Sequence, residues 1–309
     1  MNFHELDVFL AVAQERSFSR AAKKLLRTQP AVSLAIRRLE EDLGELLFDR
    51  STKVPTLTDA GELLRDYAER VVNLRAEIRT ALTELRQHQR GRVRIGANET
   101  GALYLLPLIA RYRRLYPAIA VEVVRSLARS IPQELLKRSL DLGVLSYDPD
   151  ELQLASVVVY RDRLSFIVYP EHPLARRRHV SIRDLGQEVF AAHNVPSPYR
   201  ERVLRTFQKH RVPLHMDIEL PTVESLKKFV QMQQAVALVP RMCIEAELVS
   251  GTIVEVDIPE LRIERKLRVV YRRGGPLSHA ARAFLELVTG EKQQAEVSVA
   301  AVAESIGGN

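Results

Sequence analysis

The chain has 309 residues, of which 46% are hydrophobic and 28% charged, and its formal net charge is +7. This length is typical of two domains with ordinary globular cores. No apolar run approaches the roughly 18 residues of a membrane-spanning helix, residues 1–10 lack the pattern of a secretory signal, and a single cysteine forms neither an internal disulfide nor a metal-site pattern. These features predict a soluble cytoplasmic protein and permit a polyanionic partner without proving one.

Residues 1–57 predict three short helices followed by a two-stranded hairpin. Thr28 is placed to cap the third helix, and Pro30 lies in its first turn, where a missing N–H costs little. Two helices joined by a short turn are the arrangement that inserts one helix into the major groove of DNA. The inward face of the third helix consists of Val32, Ile36, Leu39 and Leu43.

The outward face of the third helix carries side chains that are suited to reading bases. Gln29, Ser33 and Arg37 lie at positions i, i+4 and i+8. Glutamine pairs with adenine and arginine with guanine through two hydrogen bonds, and serine can donate or accept. Pro30 and Leu34 flank them and are placed to touch thymine methyl groups. We therefore expect Gln29, Pro30, Ser33, Leu34 and Arg37 to read bases.

Basic residues are concentrated beside these helices. Seven lie between Arg16 and Arg38, and no acidic residue occurs from Ser17 to Leu39. Such a stripe is either the footprint of DNA phosphates or a solvated helix face. In the hairpin, Leu46–Arg50 and Val54–Leu57 are expected to form a wing, and the alternative that these residue types leave open is a plain surface hairpin. The residues expected to bind phosphates are Arg20, Lys23, Lys24, Thr28, Arg38, Arg50 and Lys53.

Residues 58–88 predict one long helix, and the polar stretch Gln87–Gly91, which ends in glycine, predicts a linker; we place the end of this part at residue 90. Thr58 is a natural N-cap, with Asp59 and Glu62 near the positive end of the helix dipole. Apolar residues follow at spacings that alternate between 3 and 4, which favours pairing with a partner helix over packing on the chain's own core. The expected dimerisation seam consists of Leu64, Tyr67, Val71, Leu74, Ile78, Ala81 and Leu85.

From residue 91 to residue 290 the pattern changes to strands that alternate with helices, which predicts an α/β domain with largely parallel sheets and room for two lobes. A small, polar tail, 291–309, is expected to be poorly ordered. The predicted strands are Val93–Ala97, Ile119–Arg125, Leu142–Leu145, Leu154–Tyr160, Leu164–Tyr169, Met216–Leu220, Val236–Val239 and Leu267–Tyr271. The predicted helices are Leu103–Leu115, Gln133–Leu140, Arg200–Lys209, Ser225–Gln234, Met242–Val249 and Ser278–Thr289.

Several blocks of residues have a specific order and spacing. They are Phe18–Ala22, Thr28–Ser33, Ile36–Glu41, Leu43-Gly44, Leu47–Arg50 and Leu57–Gly61. Taken together they resemble the LysR-type transcriptional regulators. The resemblance continues more weakly at Arg92–Gly96, Leu106-Pro107, Tyr116-Pro117, Asp141–Gly143, His172–Leu174 and Ala237–Pro240.

The resemblance implies a winged helix-turn-helix at 1–57, a dimerising linker helix at 58–90 and a two-lobed effector domain, like periplasmic binding proteins, at 91–290. It also implies a dimer or a dimer-of-dimers tetramer on interrupted inverted repeats near promoters. Effector binding is then expected to alter DNA bending or subunit arrangement. One departure concerns the stretch between Val230 and Pro240, where many relatives carry a Gly-x-Gly turn and this chain has no glycine.

Polar residues follow the predicted strands where ligands bind in parallel sheets, at strand carboxyl ends and helix N-termini. Each is also explained as an ordinary cap or turn residue, but together they ring one cleft. Free N–H groups there would suit a carboxylate, so a small organic anion is the expected effector. The expected effector-binding residues are Asn98, Glu99, Thr100, Ser126, Arg129, Ser130, His193, Asn194, Ser197 and Thr222.

Three other classes of protein fit parts of the sequence. An enzyme is disfavoured because the eight histidines form no metal-binding cluster and no nucleophile-elbow, P-loop or dinucleotide motif occurs. A transport binding protein would leave the first 88 residues unexplained, and an architectural DNA protein needs no α/β domain. We therefore expect no catalytic residue, metal or cofactor, and no membrane contact. The expected partners are double-stranded promoter DNA, a small effector, further copies of the chain, and RNA polymerase.

Overall fold

The computed structural model describes residues 1–49, 51, 54–87, 91–274 and 277–290, apart from the side chains of residues 80, 81 and 83–87. Within these ranges, no helix is both long and apolar enough to cross a membrane. Residues 88–90 of the predicted linker and the predicted tail, 291–309, lie outside the described residues.

The N-terminal part is a winged helix-turn-helix followed by a long helix, as predicted. Asn2 caps the first helix in a reciprocal pair with Glu5, and the Ser17 side chain caps the second. Thr28 occupies the N-cap position of the third helix, but its side chain makes no capping hydrogen bond, so that predicted role is wrong. The elements are α1 (Phe3–Glu15), α2 (Phe18–Lys24), α3 (Gln29–Leu43), β1 (Phe48–Asp49), β2 (Thr56–Leu57) and α4 (Asp59–Gln87).

The C-terminal part is a mixed α/β fold. Its strands are β3 (Gly91–Ala97), β4 (Ile119–Arg125), β5 (Leu142–Leu145), β6 (Leu154–Val168), β7 (Val189–His193), β8 (His215–Leu220), β9 (Val236–Pro240), β10 (Val254–Val256) and β11 (Glu264–Arg272). Its α-helices are α5 (Glu99–Leu115), α6 (Ile131–Leu136), α7 (Pro198–His210), α8 (Val223–Gln231), α9 (Glu245–Ser250) and α10 (279–290).

The strands form one continuous sheet in the order β4-β3-β5-β11-β6-β9-β7-β8, with β10 paired to β6. We call β3–β5 with α5, α6 and α10 lobe I, and β7–β10 with α7–α9 lobe II. Each lobe has its own hydrophobic core. The strands β6 and β11 connect the lobes, because the first part of β6 pairs with β11 and its last part pairs with β9 and β10. The predicted two-lobed architecture is confirmed.

The sheet is mixed, which corrects the expectation of largely parallel strands. The pairs β3–β4, β3–β5, β7–β8 and β7–β9 are parallel, whereas every pair that includes β6 or β11 is antiparallel. The two strands predicted at 154–160 and 164–169 are one strand, β6. The charged run Arg161–Arg163 between them continues the ladder, since it pairs with Glu264–Lys266.

Two further differences concern element ends and missed strands. The prediction omitted β7 and β10. It also extended α6 to Leu140, whereas the helix ends at Leu136. Arg138 then adopts a left-handed backbone with φ of 62°, a conformation that an α-helix cannot continue through.

Candidate functional site: a DNA-reading helix and an interlobe cleft

The exposed side of α3 carries the residues that were expected to read bases. Gln29, Pro30, Leu34 and Arg37 are exposed, and Ser33 is half-buried. The opposite side packs into the N-terminal core through the buried Val32, Ile36 and Leu39. The helix therefore presents a polar surface to solvent while its apolar side fixes its orientation.

The wing is fastened to α3 by a residue that the sequence did not single out. Glu40 lies on α3 and is only 7% exposed. Its Oε1 accepts hydrogen bonds from the backbone N–H groups of Leu47 at 3.0 Å and Phe48 at 3.3 Å. A side chain at Gly61 would collide with the Leu47 carbonyl, so the start of α4 also lies close against this segment. These contacts set the position of the wing relative to α3.

The described residues that are expected to bind phosphates are exposed, but they differ in their present partners. Arg20 donates to the Glu15 carbonyl, and Lys24 Nζ lies 2.9 Å from Glu15 Oε1. In the described part of the chain, no ion pair engages Lys23 or Arg38. Thr28 is also exposed. The predicted wing residues Arg50 and Lys53 lie outside the described residues.

The α4 helix carries an exposed apolar stripe that agrees only in part with the predicted seam. Leu64 is partly buried against the N-terminal core, so for this residue the alternative of packing on the chain's own core is correct. The side chains of Ala81 and Leu85 lie outside the described residues. The α4 stripe consists of Leu63, Tyr67, Val71, Leu74, Ile78 and Leu82.

A cavity of about 620 Å³ lies between the lobes, a size that suits a small molecule. The predicted residues that line it are Asn98, Glu99, Thr100, Ser126, Arg129, His193 and Ser197. Ser130, Asn194 and Thr222 lie outside the lining. Three of the predicted effector-binding residues also cap the N-terminus of a helix. The side chains of Asn98, Ser197 and Thr222 accept hydrogen bonds from the backbone N–H groups of Gly101, Arg200 and Ser225, respectively.

The cavity is lined by more basic than acidic side chains. Arg200 pairs with Glu219, and Arg265 pairs with Asp162. Among the described residues, Arg125 and Arg129 have no carboxylate partner, and both are exposed at the lobe I edge of the cavity. Two unpaired guanidinium groups produce a positive potential that attracts organic anions.

A buried ion pair joins the neighbouring antiparallel strands β6 and β11. Arg265 Nη1 is 2.8 Å from Asp162 Oδ2, and the side chains are 5% and 3% exposed. The Arg265 guanidinium also lies over the Tyr199 ring, 5.3 Å from its centroid, and Nη2 is 3.5 Å from Thr100 Oγ1. Arg265 therefore links the connecting strands to Thr100 of lobe I and Tyr199 of lobe II, and all three residues line the cavity.

Comparisons with known proteins identify both parts of the chain. Residues 3–62 match the family model of the bacterial regulatory helix-turn-helix protein, lysR family, and residues 86–293 match that of the LysR substrate binding domain. The chain is 34% identical over 289 residues to a probable RuBisCO transcriptional regulator of Cyanidioschyzon merolae, covering 91% of this chain and 95% of the relative. The chain is a LysR-type transcriptional regulator.

Two other similar proteins are informative about this LysR-type regulator. A RuBisCO operon transcriptional regulator of Allochromatium vinosum is 30% identical over 291 residues, which cover 94% of this chain and 96% of the relative. The regulatory domain of CcmR from Synechocystis PCC6803, solved in complex with 2-PG, is 24% identical and has a TM-score of 0.61, covering 66% of this chain and 98% of that one. The latter similarity shows the fold.

Several cavity-lining residues of the regulator were missed by the sequence reasoning. Arg125 is the last residue of β4 and could have been found, because the same strand-end rule led to Ser126. Arg265 and Tyr199 carry no such signal, since Arg265 lies inside β11 and Tyr199 inside α7, and their place in the cavity depends on tertiary packing. In the described ranges, no group of three or more histidine, cysteine or acidic residues could hold a metal ion.

Proposed function

We propose that this regulator binds an organic anion that carries more than one negative charge in the cleft between its lobes, and we take 2-PG as the first candidate. The observation that carries the proposal is the pair of unpaired arginines, Arg125 and Arg129, at the edge of the 620 Å³ cavity. Two guanidinium groups match an anion with two charged groups better than a single carboxylate. The complex of the CcmR regulatory domain with 2-PG supports the choice.

We propose further that α3 reads operator bases through Gln29, Ser33 and Arg37, with Pro30 and Leu34 beside them. The phosphate contacts then come from Arg20, Lys23, Lys24, Thr28 and Arg38, and from Arg50 and Lys53 of the wing. Lys24 has to leave Glu15 to bind a phosphate, a small cost for an exposed ion pair. The names of the two relatives make a RuBisCO operon the first candidate target.

The proposal includes self-association through the α4 stripe and assembly into a tetramer on promoter DNA in the cytoplasm, with RNA polymerase as the further partner. An apolar stripe along one helix is stabilised when a second helix covers it. We keep the predicted division of the chain at residues 57 and 90, and we infer that the protein is a regulator without catalysis or a cofactor.

Calorimetric titration with 2-PG tests the proposed effector class. We compare the full chain with a double variant, Arg125→Gln with Arg129→Gln, because glutamine keeps a polar side chain but removes the charge. The variant should bind 2-PG on the order of 10–100-fold more weakly, since it loses two charge-assisted contacts. An Arg113→Gln variant at the exposed end of α5 is the control and should bind as the unmodified chain does. Equal affinity in all three proteins would contradict the proposal.

A further inference from the structure

A carboxylate of lobe I crosses the cleft and binds the start of a helix in lobe II. Glu99 is the first residue of α5, and Val223 is the first residue of α8. The Glu99 Oε2 atom accepts a hydrogen bond from the Val223 backbone N–H at 3.0 Å. Both residues line the interlobe cavity, so the bond connects the two lobes inside the proposed effector site.

The start of α8 is a favourable place for a negative charge. The first N–H groups of a helix have no partner within the helix, and the helix dipole adds positive potential there. The Thr222 side chain accepts from the Ser225 N–H, which leaves the Val223 N–H to Glu99. Glu99 thus accepts a hydrogen bond from a backbone N–H group, that of Val223, which has no partner within the helix.

The surroundings of Glu99 contain the groups that an anionic ligand would use. His193 Nε2 lies 4.0 Å from the same Oε2 atom, and burial lowers the pKa of His193. The unpaired Arg125 and Arg129 line the same cavity. The Glu99 side chain is 41% exposed, so solvent and ligands can reach it. A bound anion would therefore meet a like charge at close range.

A second bridge between the lobes is neutral. The Tyr199 hydroxyl of lobe II donates to the Ser146 carbonyl of lobe I. This contact does not depend on the charge of a ligand, whereas the Glu99 contact does. The charged bridge is therefore the one that an entering anion weakens.

We propose that Glu99 is a displaceable latch, which holds the lobes together while the cleft is empty and has to leave the start of α8 when an anionic effector binds. The latch also selects effectors, because an anion with little charge repels Glu99 too weakly to displace it from the start of α8. This inference rests on the proposed function, in which the cleft binds an organic anion.

The first test compares anion affinity in the full chain and in a Glu99→Gln variant. Glutamine keeps an oxygen that accepts from Val223 but removes the negative charge. In calorimetric titrations with 2-PG and with inorganic phosphate, the variant should bind about 10-fold more tightly, because the repulsion between Glu99 and the anion is lost. Weaker binding by the variant would mean that Glu99 attracts the ligand, and this would overturn the proposal.

A neighbouring carboxylate provides a matched control. Glu224 lies in the same first turn of α8 and pairs with Lys227 at 2.7 Å, but it does not line the cavity. A Glu224→Gln variant makes the same change in net charge, and its anion affinity should stay within about twofold of that of the unmodified chain because solvent screens it. An equal gain in both variants would reject a specific role of Glu99.

The second test needs no ligand. We measure hydrogen exchange of the Val223 amide in the full chain and in Glu99→Ala, which removes both the charge and the acceptor. Exchange should accelerate by about 10-fold or more in Glu99→Ala, since the amide loses its partner, and should be unchanged in Glu224→Ala. Unchanged exchange in Glu99→Ala would overturn the latch. If no protein binds either anion while exchange responds as expected, the effector proposal fails but the lobe contact stands.

Discussion

Gln233 makes the turn between α8 and β9 in a left-handed conformation, with φ of 61°. Many LysR-type regulators are expected to carry glycine in this turn, and this chain does not. A side chain in this region costs about 1 kcal/mol or more, whereas glycine adopts it without steric strain. We expect Gln233→Gly to raise the free energy of unfolding by about 0.5–1 kcal/mol, measured by urea denaturation.

The neighbouring residue is the control for this prediction. Met232 is 66% exposed and has φ of −76°, which any residue adopts. Met232→Gly should lower the free energy of unfolding by roughly 0.5–1 kcal/mol, because glycine loses more backbone entropy on folding. If both variants lose stability equally, the turn at Gln233 is not strained.

Single residues were predictable where their role follows from position within one element. The placement of Gln29, Leu34 and Arg37 on the exposed side of α3 follows from helical spacing alone. The burial of Glu40 does not, because it depends on where the wing places the N–H groups of Leu47 and Phe48. A buried carboxylate of this kind looks like a surface residue in the sequence.

At the scale of elements, the sequence located most of the helices and strands but not how they connect. The strands β4 and β5 have the predicted bounds, since both are apolar runs between clear turns. The continuity of β6 was missed because Arg161–Arg163 resembles a break. The partner of this run is Glu264–Lys266 of β11, which also consists of three charged residues. Because the two segments are far apart in the sequence, local patterns carry no information about their pairing.

The helix α4 is fastened to lobe I by charged side chains. Lys137 Nζ lies 3.0 Å from Asp66 and 2.9 Å from Glu69. Glu77 pairs with Arg138, and with Arg272 at 2.8 Å. Since Lys137 follows α6 and Arg129 precedes it at the cavity, α6 spans the distance between the cleft and α4.

Removing the Glu77 charge should weaken this attachment. Arg272 is largely buried, and burial lowers its pKa, so the loss of its carboxylate partner leaves an uncompensated charge. We expect Glu77→Gln to cost about 1–2 kcal/mol and to lower the melting temperature of the full chain by a few degrees, as followed by calorimetry. The control is Glu62→Gln, which removes an exposed pair with Arg65 within α4 and should change little. Equal effects would argue against a role of Glu77 in joining α4 to lobe I.

At the scale of the whole molecule, the order of elements and the family resemblance were sufficient to predict a DNA-binding part, a long helix and a two-lobed domain. The mixed sheet was not predictable from the alternation of strands and helices, which is typical of parallel strands joined by crossover helices. Here β6 and β11 pass directly from one lobe to the other as neighbouring antiparallel strands. These strands also contribute to the cavity, because Arg265 of the buried Arg265–Asp162 pair lines it. The least predictable part of the fold is therefore the part that shapes the proposed effector site.

The central claim, that this protein regulates transcription by reading DNA sequence through α3, is tested by binding to its own upstream promoter fragment and to unrelated DNA of equal length across a salt series. We expect a preference on the order of a thousandfold at fixed salt. A Gln29→Ala, Ser33→Ala variant should lose the preference and keep the salt dependence, because its phosphate contacts are intact. A Gln208→Ala variant, altered on the exposed side of α7, is the control. Equal binding to both DNAs, or a preference that survives in the α3 variant, would contradict the account.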